Sequence, residues 1–296
     1  MYVKRGTVLK AAAFDYVRAH SVTEALDLLA QHGDMAKLLA GGQSLLPALN
    51  LRLSAPAWLI DIGRIPELRG ITVRGTTLRI GAMTTHAELA ASPDVSRLAP
   101  MMVRAVAHIA HPAIRSRGTI GGSLANADPA AELPACALAL AARIIVQGPG
   151  GLRTIQAQSF FTGLFETALA PGEILVAIEV DATAAPWGFQ ELSRRSGDYA
   201  IVGLAAQAVP DSSPRLAYFA VGATAVLAPY AALALSHGIE AACAALPRDL
   251  TPPADLQASS KTRMALAQVL LRRVATSWAG SQTGSQTGSP MGAMAA

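Results

Sequence analysis

Two pairs of adjacent glycines are where this 296-residue sequence places its chemistry. The first lies in Ala40-Gly41-Gly42-Gln43-Ser44-Leu45, directly after a strand-like run at 36–40 and ahead of a short helical segment at 45–49. Paired glycines let a backbone take positive φ and come close to a ligand. The amides that follow point outward from a helix start, where the dipole favours negative charge. Such a turn suits a pyrophosphate. The second pair, in Gly118-Thr119-Ile120-Gly121-Gly122-Ser123, again sets bare backbone amides beside small hydroxyls. Asp128 and Glu132 follow it as acceptors for a ribose hydroxyl or an adenine amino group. Two anion-cradling turns fit a dinucleotide, although a glycine pair after a strand is also an ordinary tight turn. Neither the GxGxxG turn of a Rossmann unit nor the GxxxxGK of a P-loop occurs, so a dinucleotide bound here needs another fold.

The elements that must hold these turns change texture near residue 182. Before it, short strand-like runs alternate with helical periodicity. Residues 21–31 read as an amphipathic helix with a capping box, Ser21 to Glu24; 36–40, 58–62 and 77–81 read as strands; and a second helix starts at Thr85. This is an α/β pattern. After a short linker at 182–186, the chain has longer apolar strands at 199–209 and 216–221 and an alanine- and leucine-rich helix at 261–275, an α+β pattern. The stretch 216–235 reaches membrane-spanning length, but Gly222 and Pro229 break it into a buried strand, a turn and a helix. The GSQTGSQTGSP repeat cannot bury enough apolar surface to order itself, and the tail from residue 277 is read as disordered.

Composition narrows the function. With 52% hydrophobic and 15% charged residues the chain has material for two or three packed layers. The net charge of +4 comes from four lysines and twenty arginines scattered without a cluster, which argues against nucleic acid. Cys136 and Cys243 lie far apart, with no CxxC and no Cys/His cluster; they read as small core residues, and no iron-sulfur or zinc site is encoded. The cationic residues 1–10 are not followed by an apolar h-region, so a cytoplasmic location without a transmembrane segment is expected. His108 and His111 precede the second turn and read as packed or capping histidines.

The segments AGGQSL at 40–45, IRSRGTIGGSLANADPAAELPA at 114–135 and FQELSRRSGDYAIVG at 189–203 together closely resemble the FAD-binding medium subunits of molybdenum hydroxylases. That family includes carbon monoxide, nicotine, caffeine and bacterial xanthine dehydrogenases, and the likeness runs from about Phe14 to about Val274. It implies a vanillyl-alcohol-oxidase-type (PCMH-type) FAD-binding domain over 10–181, made of two α/β subdomains at about 10–63 and 64–181. An α+β C-terminal domain over 187–276 follows, with an N-terminal extension at 1–9 and the tail at 277–296 outside the fold.

The same resemblance assigns the FAD pyrophosphate to Ala40, Gly41, Gly42, Gln43, Ser44 and Leu45 with Thr119, Ile120, Gly121, Gly122 and Ser123, and the adenosine to Glu132. It draws Leu175, Gln190, Arg195 and Tyr199 toward the isoalloxazine, Tyr199 as an aromatic shield with core packing as its rival, Leu175 most simply a strand core residue. Ser123 and Ser116 stand where many relatives have Asn. No general acid or base is required of the protein. The implied function is an oxidoreductase subunit in which FAD accepts electrons from 2Fe-2S clusters on a small iron-sulfur subunit. A large molybdopterin subunit would hydroxylate a small, N-heteroaromatic substrate, in a heterotrimer that pairs into a dimer. The alternatives are a self-sufficient FAD-dependent oxidase or dehydrogenase of the same superfamily and a scaffold subunit that has lost its cofactor.

Overall fold

The computed structural model describes residues 10–283, with side chains described as far as residue 278. Three layers of sheet organise it. The first is small and parallel: β1 (Asp15–Arg18) and β2 (Ala36–Leu39) flank β3 (Trp58–Asp61). Helix α1 (Val22–His32) makes the crossover between β1 and β2, starting at the N-cap Ser21, whose hydroxyl accepts from the Glu24 amide at 3.1 Å. The expected capping box is only half made, because the Glu24 carboxylate accepts from the His20 amide at 2.7 Å rather than from Ser21. The chain leaves β2 directly into the first glycine turn and then α2 (Leu45–Asn50).

The second sheet is antiparallel. Its strands β4 (Ile71–Arg74), β5 (Thr77–Gly81), β6 (Arg143–Gly148) and β7 (Gly151–Gln156) are joined, after the small hairpin β8 (Phe161–Gly163) and β9 (Glu166–Thr167), by β10 (Ile174–Asp181). The order is β4-β5-β10-β6-β7. The helices α3 (His86–Ala91), α4 (Pro93–Leu98), α5 (Pro100–Val106), α6 (Pro112–Arg115), α7 (Ile120–Asn126) and α8 (Glu132–Ala139) lie between β5 and β6. All eight residues of α8 are buried, which makes it the central helix of the main core. The predicted helix start at Thr85 is a complete capping box: the Glu88 amide donates to the Thr85 hydroxyl and the Glu88 carboxylate accepts from the Thr85 amide.

No regular element occupies 182–186. The third sheet then runs in sequence order, β11 (Trp187–Leu192), β12 (Val202–Val209), β13 (Ser212–Phe219) and β14 (Val226–Leu227). Strict alternation splits its residues between two cores. Phe189, Ala205, Ala217 and Phe219 join the core around α8, while Leu204, Leu216 and Tyr218 pack with α9 (Pro229–Ala234), α10 (Ile239–Ala245) and α11 (Ser260–Thr283). Two sequence expectations are corrected here. The strand predicted from Tyr199 begins only at Val202, since the turn at 193–201 carries Gly197 at φ +85°. Residues 277–283 continue α11 as helix rather than belonging to a disordered tail. The expectations for 1–9 and 284–296 lie outside the described residues. Both cysteines are buried, the core residues expected from the sequence. Among the described residues no helix is long and apolar enough to cross a membrane.

Candidate functional site

The two glycine turns, distant in sequence, are in contact. A Cβ on Gly41 would overlap the carbonyl oxygen of Arg117 and lie 2.9 Å from the Gly118 Cα, while one on Gly122 would come 3.5 Å from the Ala40 Cβ. The first turn therefore lies directly on the approach to α7. Gly42 holds φ at +74°, a conformation that an L side chain adopts only with strain. Around it, Gly41 to Leu45 carry five successive amides, and none donates to a protein acceptor among the described residues. The first intramolecular donor of the turn is Leu46, whose amide reaches the Gly42 carbonyl at 3.1 Å. Gln43 donates its side-chain amide back to the Gly41 carbonyl at 3.1 Å, and Ser44 makes no side-chain cap bond. Five donors without a protein partner on one half-buried to exposed glycine turn are open to solvent and are available to an anion.

The second turn corrects the sequence reading. Its amides are not bare: Ile120 donates to Thr84, Gly121 to Ala82, Gly122 to the Thr119 hydroxyl and Ser123 to the Thr119 carbonyl, at 2.8–3.1 Å. The N-terminus of α7 is thus spent on the protein. Gly121 is glycine because α7 lies flat on Ala82, where a Cβ would meet Ala82 at 2.5 Å. The segment acts as a rigid floor under the first turn, and its remaining polar group toward a ligand is the Ser123 hydroxyl, which makes no hydrogen bond within the described residues.

Beneath the floor sits His86. It is 6% exposed, and both ring nitrogens are buried without a hydrogen-bond partner. A Cβ on Gly118 would be 3.1 Å from its ring, so this glycine makes room for the imidazole. Burial lowers its pKa to about 4, the nearby Thr119 backbone opposing the fall and the charge of Arg115 adding to it, and the ring is neutral at ordinary pH.

The acidic end follows the second turn. Glu132 is not a solvated turn carboxylate: it is 9% exposed at the first position of α8. Burial and the charges of Glu191 and Asp128 push its pKa up to about 8. Tyr199 is 64% exposed, which removes core packing as its rival; desolvation of its hydroxyl, then the charges of Asp128 and Glu132, raise its pKa. Arg195 is exposed on the same turn.

Two site residues read from the sequence are placed elsewhere. Leu175 is 5% exposed and belongs to the hydrophobic core, paired with Val146 across β10 and β6. Gln190 pairs with Leu204 and so points to the α11 side of the third sheet, away from Glu132. Its neighbour Glu191, opposite Gly203, points the other way, into the site. Its side chain is 1% exposed, and its Oε2 lies 3.7 Å from the His108 Nδ1 with no hydrogen-bond partner. Burial pushes its pKa up to about 7. Sequence reasoning passed over Glu191, although the period-2 pattern that makes Phe189 a core residue sends Glu191 to the same face.

The family model described as the FAD binding domain in molybdopterin dehydrogenase matches residues 12–182, and that of the CO dehydrogenase flavoprotein C-terminal domain matches 187–278. The chain is 42% identical to the alpha subunit of the 6-hydroxypseudooxynicotine dehydrogenase complex of Paenarthrobacter nicotinovorans, over 90% of this chain and 94% of that one. Among solved structures it resembles a chain of carbon monoxide dehydrogenase from Hydrogenophaga pseudoflava, with TM-score 0.88, 39% identity, and 91% and 98% of the two chains covered. It also resembles a chain of quinoline 2-oxidoreductase from Pseudomonas putida 86, with TM-score 0.86, 36% identity, and 92% and 99% coverage.

Proposed function

From the premise that this chain belongs to the family of FAD-binding medium subunits of molybdenum hydroxylases, both of whose domain models it matches, we propose how its residues serve that role. The observation that carries the reading is the set of five unclaimed amides from Gly41 to Leu45. They would hold the FAD pyrophosphate on the floor made by α7, with the Ser44 and Ser123 hydroxyls as further donors. Glu132 would face the adenosine, and Tyr199, exposed on its turn, would shield the isoalloxazine. The division into a flavin domain over 10–181, with subdomains at about 10–63 and 64–181, and a C-terminal domain over 187–276 is part of the same proposal.

When bound, FAD accepts single electrons and passes them on in pairs, chemistry that no side chain supplies. This chain's residues would orient the cofactor, pair its phosphates with backbone amides and set the charge around it. The electrons would come from a small iron-sulfur subunit reduced by a large molybdopterin subunit, in a heterotrimer that pairs into a dimer. The relatives named for a nicotine derivative and for quinoline support an N-heteroaromatic substrate on the large subunit. A cytoplasmic location fits this assembly.

The test is to purify the complex through this chain, release and count its flavin, and identify the bound proteins. Stoichiometric FAD with an iron-sulfur and a molybdopterin subunit is the expected result. A chain that stays colourless, or a lone flavoprotein that turns over substrate by itself, would overturn the proposal.

A further inference from the structure

Tyr199 stands on a turn that does little to hold itself. Within residues 193–201 the internal hydrogen bonds run from the Asp198 amide and the Ser193 hydroxyl to the Arg195 carbonyl, at 3.1 and 2.9 Å. Tyr199 itself is mostly exposed, so packing of its own ring fixes nothing. The turn is held from outside at three places. At Gly197 it rests on the loop after α5, where a Cβ would come 2.8 Å from the Ala110 carbonyl oxygen. Near its start, Arg194 donates to the Gln257 carbonyl at 3.3 Å. At its end, the Ile201 carbonyl accepts from Nη1 of Arg263, a buried side chain of α11.

The last two holds are linked. Arg263 Nη2 donates at 2.6 Å to Asp255 Oδ2. Asp255 Oδ1 accepts from the Gln257 and Ala258 amides at 2.9 and 3.1 Å, which shapes the loop that offers the Gln257 carbonyl to Arg194. The same guanidinium also reaches the opposite wall of the acidic end. Its Nη1 donates at 3.0 Å to the carbonyl of Ala220, a residue at φ +59° whose amide donates to the Pro129 carbonyl between Asp128 and Glu132.

A guanidinium is planar, with five donors in a fixed fork, so the groups bound to it are held at set spacings. Arg263 Nε is buried with no acceptor. The group is therefore oriented by Ile201, Ala220 and Asp255, and not by satisfying every donor.

We infer that Arg263 is a positioning residue: from behind the acidic end it sets where the Tyr199 turn stands relative to the Asp128–Glu132 turn, with Asp255 as its anchor and Arg194 as the second tie. The inference rests on the proposed function only in taking Tyr199 to lie against the flavin; the brace itself belongs to the chain. An ammonium cannot hold two carbonyls and a carboxylate at the spacing of a planar fork, so Arg263→Lys keeps the charge and loses the geometry. Asp255→Asn keeps the acceptor for both loop amides and loses the charge that anchors the guanidinium. The Asp255 side chain is 48% exposed, and this isosteric variant is expected to fold.

The experiment takes two readings on the full chain: hydrogen exchange without flavin, and the FAD dissociation constant in a double-mutant cycle with Tyr199→Leu. The Ile201 amide, which donates to the Leu192 carbonyl at 2.7 Å, is expected to exchange faster in Arg263→Lys and in Asp255→Asn, with the amides of β10 unchanged. FAD affinity is expected to fall in both variants by on the order of tenfold, and by much less once residue 199 is already leucine. A brace that acts through Tyr199 then has nothing left to place. Fluorescence per bound flavin should rise in Tyr199→Leu and in Asp255→Asn, with no further rise in the double variant.

Unchanged Ile201 exchange in both variants would overturn the inference. So would affinity losses that simply add, since the arginine would then serve stability alone. If the unaltered chain binds no FAD, the proposed function fails and the exchange alone decides the brace. If FAD binds and the exchange does not move, the brace fails and the flavin reading stands.

Discussion

Gly41 stacks backbone to backbone on Arg117: any side chain at 41 would overlap the Arg117 carbonyl oxygen, so the donor-rich turn and its floor form one unit. Gly41→Ala must part them, since carbonyl backbone cannot swing aside as a flexible side chain does. The expected cost is about 1–3 kcal/mol of stability together with loss of bound FAD. Thermal melting and flavin content per chain check both, and normal content would contradict the contact.

Gly42→Ala tests conformation rather than space. Its Cβ would meet only the Leu46 and Leu39 side-chain ends at 3.1–3.3 Å, but φ of +74° costs an L residue about 1–2 kcal/mol. A milder melting shift than for Gly41→Ala is expected, with FAD released more readily because the following amides are re-aimed. Equilibrium dialysis of the flavin measures it.

His86 makes stability depend on acid. Its folded pKa of about 4 lies below the ordinary 6.5, so between these values the unfolded chain binds the extra proton. Stability is therefore fully present above about 6.5 and is lost as pH falls toward 4, by on the order of 3 kcal/mol for this one group. In His86→Leu that part of the acid slope should vanish. Denaturant unfolding of both proteins at several pH values, compared as a difference, reads it.

Arg263 is a buried cation, 4% exposed, tied to the carbonyls of Ile201 and Ala220 and at 2.6 Å to the Asp255 carboxylate. The Ala220 amide in turn donates to the Pro129 carbonyl at 2.8 Å, so this arginine braces the turn that carries Asp128. Arg263→Met removes the charge but leaves carbonyls unpaired, and a loss of about 3–5 kcal/mol is expected. Equal stability would show that the third sheet holds that turn without it. Hydrogen exchange of the Ala220 amide reports whether the brace opens.

Much of this molecule was legible in one dimension. Glycine pairs after strand-like runs, the caps at Ser21 and Thr85, and the breaks at Gly222 and Pro229 act over a few residues, so local stereochemistry determines them. The motif spacing also carried the resemblance that the family matches bear out. What only the tertiary structure decided was which polar groups remain unsatisfied. The amides at 120–123 look as free in the sequence as those at 41–45, yet two are claimed by Ala82 and Thr84, which packing brings against α7, and two by Thr119, the local N-cap of the helix. Gln190 and Glu191 are adjacent and both polar; alternation puts them on opposite faces of β11, and only the packing of α11 on one face and the α8 core on the other decides what each face meets. Hydrogen-bond satisfaction and desolvation depend on neighbours far along the chain, and those are set when the sheets and helices close on one another.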